Sequence, residues 1–301
     1  MERTSWMFVH ITKYFNMYSL QKITLTALAV LFLNACTEAG LFVANVPSTF
    51  NNATTYSDII YDRETGQKLD LYVPQNARNA PVLVFLYGGR WTFGQKEQYR
   101  FVANRFLTEG YIVVIPDYRK YPAVKFPAFV KDAAAAIAWT HKNIGDYNGD
   151  PNMIFLSGHS SGAHLGALVS TDPQYLKEYG LRRSVIKGFV GLSGPYAFEP
   201  QSDDLKAMFG PPEQYPRIRA NNFVDGGQPP MLLIQGLDDG TVALQNTKKL
   251  KAAIENQGGQ VEMVTYPDID HSETIGSLMW YWRHKSNIKE EMITFFESQR
   301  R

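Results

Sequence analysis

The chain has one cysteine, Cys36, in 301 residues. A single thiol excludes a disulfide framework within the chain and a thiolate cluster around a metal. Net charge is nearly absent as well: 30 Lys and Arg offset 29 Asp and Glu, a formal charge of +1. Without a basic stripe there is no electrostatic footprint for nucleic acid, and without an acidic block there is no solvating tail. Metal-ligand spacings, a phosphate-binding loop and a dinucleotide fingerprint are also missing, so neither a metal nor a cofactor is expected. The apolar run from Ile23 to Leu33 is too short to span a bilayer.

That run follows Lys22 and reads as the apolar core of a signal peptide. It ends in LNAC, Leu33 to Cys36, which resembles the lipobox of bacterial lipoproteins, where the cysteine is lipidated and becomes the mature N-terminus. The expectation is a lipoprotein-type signal peptide over 1–35 and a lipid anchor at Cys36. Thr37 rather than Asp after the cysteine points to the outer membrane or cell surface. A soluble secreted or periplasmic protein is the alternative. Translation from Met17 would give a short basic leader, MYSLQK, better suited to the run than the aromatic stretch before it. Residues 36–56 are small and polar and read as a tether.

What is present in quantity is apolar: 45% of residues are hydrophobic and 20% charged, ordinary for a chain that buries a sizeable core. From residue 57 to the end, short apolar strands alternate with stretches at helical spacing. DIIYD and KLDLYVP flank a turn and read as a hairpin. VLVFLY, YIVVIP, NMIFLS, VIKGFVGLSG, MLLIQG and VEMVTY read as strands. Helices are expected between them, one of them over 241–258, and another over the final stretch to Phe296. This pattern predicts an α/β domain over 57–301, with a mostly parallel central sheet flanked by helices. The alternation breaks at about 195–229, a turn-rich stretch that reads as a small insertion.

GHSSG, Gly158 to Gly162, fits the G-x-S-x-G turn between a strand and a helix, which holds a serine in strained backbone angles with its hydroxyl clear of the sheet. Ser160 is the candidate nucleophile. Ser193 in GLSGP is the rival, but no helical pattern follows it. A serine hydroxyl attacks only when a histidine takes its proton and a carboxylate orients that histidine. After this turn the order is serine, acid, histidine. His10, His141, His159 and His164 come before or beside Ser160, leaving His271 in the loop after the last strand and His284 in the final helical pattern. His271 is the candidate base. For the acid, Asp238 and Asp239 both follow the strand MLLIQG; Asp239 fits the pattern H-G-x-x-D-x-x-V, with Gln235 in place of the histidine, and Asp238 is the runner-up. Donors for an oxyanion are expected from the N–H of Ser161 and from the glycines of YGGRW.

YGGRW, PDYRKYP, GHSSGAH and VDGGQPPMLLIQGLDDGTV together resemble the α/β-hydrolases grouped with the feruloyl and acetylxylan esterases, the isoprenylcysteine methylesterases and the hormone-sensitive-lipase relatives. The resemblance covers residues 57 to about 298. It implies the α/β-hydrolase fold, carboxylic ester hydrolysis without a cofactor, a triad of Ser160, Asp239 and His271, and an oxyanion hole of Gly88, Gly89 and Ser161. Tyr87 stands where the usual histidine precedes the glycines, and Arg90 where lipases carry a third glycine. Arg90 and the paired Asp268 and Asp270 are expected to bear on substrate choice and on the proton affinity of His271. The short stretch before the first strand and the small insertion favour short acyl groups on small or sugar-linked esters over long chains. Amide hydrolysis of the arylformamidase type and a non-catalytic surface-binding lipoprotein are the alternatives. The residues say nothing of oligomeric state.

Overall fold

Apolar runs without alternation become the centre of the sheet, because both faces there are covered. β3 (Ala80–Leu86) and β7 (Met231–Gly236) are buried at every residue. The computed structural model describes residues 40–46 and 53–300. The signal peptide expected over 1–35, the start expected at Met17 and the lipidation expected at Cys36 lie outside the described residues. The chain divides into two units, Met1–Val46 and Pro47–Arg301. Of the first, 40–45 form a short helix.

The second unit holds an eight-stranded sheet in the order β1-β2-β4-β3-β5-β6-β7-β8. The remaining strands are β1 (Ala53–Asp62), β2 (Gln67–Pro74), β4 (Ile112–Pro116), β5 (Gly149–His159), β6 (Ile186–Leu192) and β8 (Val261–Tyr266). β1 and β2 pair antiparallel, as do β2 and β4, and every other neighbouring pair is parallel. This is the mostly parallel sheet expected from the alternation, in the α/β-hydrolase arrangement that the resemblance implies. The hairpin strand β1 begins at Ala53, four residues inside the stretch read as a tether, because Ala53, Thr54 and Thr55 pair with Pro74, Val73 and Tyr72.

Helices cover both faces: α1 (Arg100–Leu107), α2 (Ala128–Asn143), α3 (Ser161–Thr171), α4 (Pro173–Lys177), α5 (Asp203–Phe209), α6 (Gln245–Asn256), α7 (His271–Gly276) and α8 (Ile288–Ser298). All eleven residues of α3 are buried, which its small and apolar sequence SGAHLGALVST permits. The final stretch is not one helix. α7 and α8 are separated by turns over 277–287, where Trp282 packs against Gly276. α6 starts at Gln245 rather than 241, because Thr241 and Val242 donate their N–H groups to Asp239. The insertion carries α5 and short 3₁₀ turns at Pro212–Ile218 and Ala220–Phe223.

Strand order positions the site. From β3 the chain runs outward to β4, then returns to place β5 on the other side of β3. At such a reversal the loops leaving the two strands diverge and open a crevice at their carboxyl ends. The loop after β3 is YGGRW and the loop after β5 is the turn at Ser160.

Candidate active site

Ser160 sits between β5 and α3 at φ 53° and ψ −122°, outside the regions an L-residue ordinarily occupies. Its flanking glycines are required by close backbone approach. A Cβ at Gly162 would lie 2.0 Å from the Leu86 carbonyl oxygen, and one at Gly158 would lie 2.6 Å from the Gly162 carbonyl carbon. The Ser160 N–H donates to Leu192 O at 2.9 Å, tying the turn to β6.

The structure brings Ser160, His271 and Asp239 together. His271 Nδ1 donates to Asp239 Oδ2 at 2.8 Å, which leaves Nε2 as an acceptor 2.9 Å from Ser160 Oγ. Asp239 is 1% exposed along its side chain. Its Oδ2 also accepts from Gln235 Nε2 at 2.7 Å, and its Oδ1 from the N–H groups of Thr241 at 2.9 Å and Val242 at 2.8 Å. Burial acts to raise its pKa, but the bonds from His271 and the two N–H groups outweigh burial and hold the carboxyl below its ordinary value. A charged acceptor therefore faces His271. Asp238 is exposed, and its N–H donates to Ile269 O. His284 is exposed in the turn between α7 and α8. Ser193 is fully buried, its hydroxyl bonded to Thr274 Oγ1 at 3.0 Å.

On the other side of Ser160 lies the turn after β3. A Cβ at Gly88 would stand 3.2 Å from Ser160 Cβ, so the backbone passes directly against the nucleophile. The Gly89 carbonyl accepts from the N–H groups of Thr92 at 2.9 Å and Phe93 at 3.0 Å. Among the described residues no acceptor takes the N–H of Gly89 or of Ser161. Two free donors near a serine suit a developing oxyanion.

This turn hangs from the PDYRKYP loop: Tyr118 Oη donates to Tyr87 O at 3.0 Å, and the Tyr121 N–H donates to Trp91 O at 2.9 Å. Tyr87 donates its own hydroxyl to Asp117 at 2.5 Å, and burial pushes the Tyr87 phenol well above its ordinary range, so the donor stays protonated. The loop is anchored in turn by Arg119, whose guanidinium bonds the buried Asp132 at 2.7 Å.

A family model, BD-FAE, matches residues 69–254. The chain belongs to the BD-FAE family. Among curated relatives it is similar to isoprenylcysteine alpha-carbonyl methylesterase ICME of Arabidopsis thaliana, 30% identical over 75% of this chain and 58% of that protein. It is similar also to esterase LipC of Mycobacterium tuberculosis, 30% identical over 68% of this chain and 57% of that protein. The chain thus spans little more than half the length of these relatives. Its fold is shared with a truncated carbohydrate esterase from gut microbiota, at TM-score 0.72 and 23% identity over 83% of this chain and 97% of that one. Thermogutta terrifontis esterase 2 aligns at TM-score 0.69 and 22% identity, over 82% of this chain and 94% of that one.

The BD-FAE match includes Ser160 and Asp239 but stops before His271, whose place is given by the order of the chain and by its bond to Ser160. Several residues of this BD-FAE domain escape a reading of the sequence. Gln235, fully buried, steadies the acid: beyond Asp239, its Nε2 reaches Val242 O at 3.1 Å, and its Oε1 accepts from Thr247 at 2.9 Å. Its only signal was its place in the acid motif. Arg90 turns away to Asp204, at 2.8 Å, and to Ser202 of the insertion, at 3.1 Å. Asp270 is spent on capping α7, accepting from the Glu273 N–H at 2.8 Å. Trp91, at φ 59°, stacks on Phe198 with centroids 5.4 Å apart and meets His164 and Phe209 edge-on. The insertion is therefore bound to the turn by an aromatic cluster.

Proposed function

We propose that this chain is a serine hydrolase that cleaves carboxylic esters, forming an acyl-enzyme on Ser160. The observation that carries the reading is the continuous path from Asp239 through His271 to Ser160, at 2.8 and 2.9 Å. In the reaction Ser160 Oγ attacks the ester carbonyl while His271 Nε2 takes its proton. Asp239 keeps the proton of His271 on Nδ1 and stabilises the imidazolium that forms. The carbonyl oxygen, becoming an anion, is received by the N–H groups of Ser161 and of the Gly88–Gly89 turn. His271 then returns the proton to the leaving alcohol, and water repeats the sequence to free the acid. The names of the relatives, methylesterase and esterase, support ester over amide chemistry. Short acyl groups are supported by the insertion, whose rings close around Trp91 two residues beyond Gly89. Ser160→Ala should lower hydrolysis of p-nitrophenyl acetate by about 10⁶ in kcat with the fold intact. Activity within about tenfold of wild type would end the serine-hydrolase reading.

We propose further that Cys36 carries a lipid anchor and holds the mature protein at a bacterial membrane. Support comes from the order Lys22, apolar run, LNAC in the sequence. Among the described residues no helix is long and apolar enough to cross a membrane. Two or more acyl chains anchor stably at about 0.8 kcal/mol per buried CH₂. Fractionation of cells expressing Cys36→Ser beside wild type decides the matter: wild type should sediment with membranes and the variant should not.

A further inference from the structure

His159 immediately precedes the nucleophile and is only 6% exposed. Position alone gives such a residue no reason to touch the base, 112 residues further along the chain. In the structure its Nε2 lies 3.0 Å from the backbone carbonyl oxygen of His271. A carbonyl only accepts, so Nε2 is the protonated nitrogen of His159 and Nδ1 carries the lone pair. On its other side, Nδ1 lies 2.9 Å from where a Cβ at Gly88 would stand. The ring is thus wedged between the segment that carries the base and the turn that carries the oxyanion glycines. Gly88 lacks a side chain at the point where this ring needs the room.

We infer that His159 is a positioning residue for both halves of the site: its N–H fixes the backbone of His271, and its ring sets how closely the Gly88–Gly89 turn approaches Ser160. The inference rests on the catalytic reading of Ser160 and His271. It requires a neutral ring. When His271 takes the serine proton it becomes a cation whose ring centre is 4.8 Å from that of His159, and two cations at that distance would oppose each other. Burial first, and then the charge of His271, push the His159 pKa down to about 3, against a partial pull upward from its bond to His271 O and from Asp239. The ring therefore stays a neutral donor wherever His271 can act as a base. Errors of about 1 Å in such a wedge cost on the order of 100-fold in rate, since proton transfer and oxyanion donors must both be in place.

Two variants separate positioning from mere filling of space. His159→Leu keeps apolar volume but has no donor, whereas His159→Gln can place an amide N–H close to the position of Nε2. On p-nitrophenyl acetate, Leu should lower kcat by about 10- to 100-fold with KM within about twofold, and Gln should recover to within about fivefold of wild type. A folded Leu variant with kcat within about twofold of wild type, or a Gln variant as slow as Leu, would overturn the inference. A second readout needs neither variant nor turnover. In ¹⁵N-labelled wild type, His159 should remain the neutral Nε2–H tautomer from about pH 5 to about pH 8. An Nδ1–H tautomer, or a protonation step within that range, would overturn the inference even if the Leu variant fails to fold. Absence of esterase activity in wild type would instead count against the proposed reaction and leave the tautomer measurement standing.

Discussion

The two loops that flank Ser160 face their neighbours by different means. On the acid side, Asp239 is 1% exposed and His271 15%, and four hydrogen bonds saturate the carboxylate. On the oxyanion side, the ion pair between Arg90 and Asp204 is about half in water, at 51% and 46% exposure. Buried charge-assisted bonds are directional and escape screening, so they can set the angle of an imidazole. An exposed ion pair is worth little, so toward the insertion the turn after β3 depends on packed rings, Trp91 among Phe198, Phe209 and His164, beside its hydrogen bonds to the PDYRKYP loop. The difference suits the chemistry. The base must keep one tautomer and one direction, while the oxyanion turn needs only a surface that holds its backbone in place.

The sharpest break in this comparison is Asp239→Asn. It leaves the packing nearly unchanged but lets the proton of His271 settle on the wrong nitrogen, and kcat should fall by about 10⁴. Asp238→Asn, at an exposed site a single residue away, should stay within about twofold. The opposite ranking in steady-state kinetics would move the acid to Asp238.

The aromatic side should weaken in acid. His164 is fully buried and donates from Nε2 to Ile218 O at 2.7 Å, and burial pushes its pKa from 6.5 to about 4. As pH falls below 6.5 the unfolded chain binds a proton that the folded chain refuses. Stability is therefore complete above 6.5 and drains away down to about 4, by about 3 kcal/mol for this one group. His159 adds to the loss over the same range and on to about 3. His164→Gln can keep the bond to Ile218 without titrating, and urea titrations across this window should show a shallower slope. An unchanged slope would show that His164 does not govern it.

The smallest effect belongs to the ion pair. Arg90→Met should change stability by less than about 1 kcal/mol and kcat by less than about threefold, with little dependence on salt. A loss near that of Asp239→Asn would mean that Arg90 touches substrate rather than only the insertion.

Much of this was legible in the residues. Strands such as VLVFLY and MLLIQG declared themselves because a run without alternation can be stable only with both faces covered. Gly158, Ser160 and Gly162 declared the turn because its sterics act within five residues. The order of serine, aspartate and histidine came with that turn, which in proteins that carry it is followed by the acid and then the base. The start of β1 at Ala53 was hidden because Ala53, Thr54 and Thr55 look like linker until they pair with β2. The break between α7 and α8 was hidden because Trp282 turns back onto Gly276. His159 looked incidental beside the serine, and Gln235 looked like a mere departure from a histidine. Their roles depend on His271 O and Asp239, groups whose positions are set by where other loops leave the sheet. Local sterics and periodicity are written in short stretches of chain and so belong to the sequence itself. Which loops meet across the carboxyl edge, and which buried polar groups then find partners there, was decided only when the eight strands took their order.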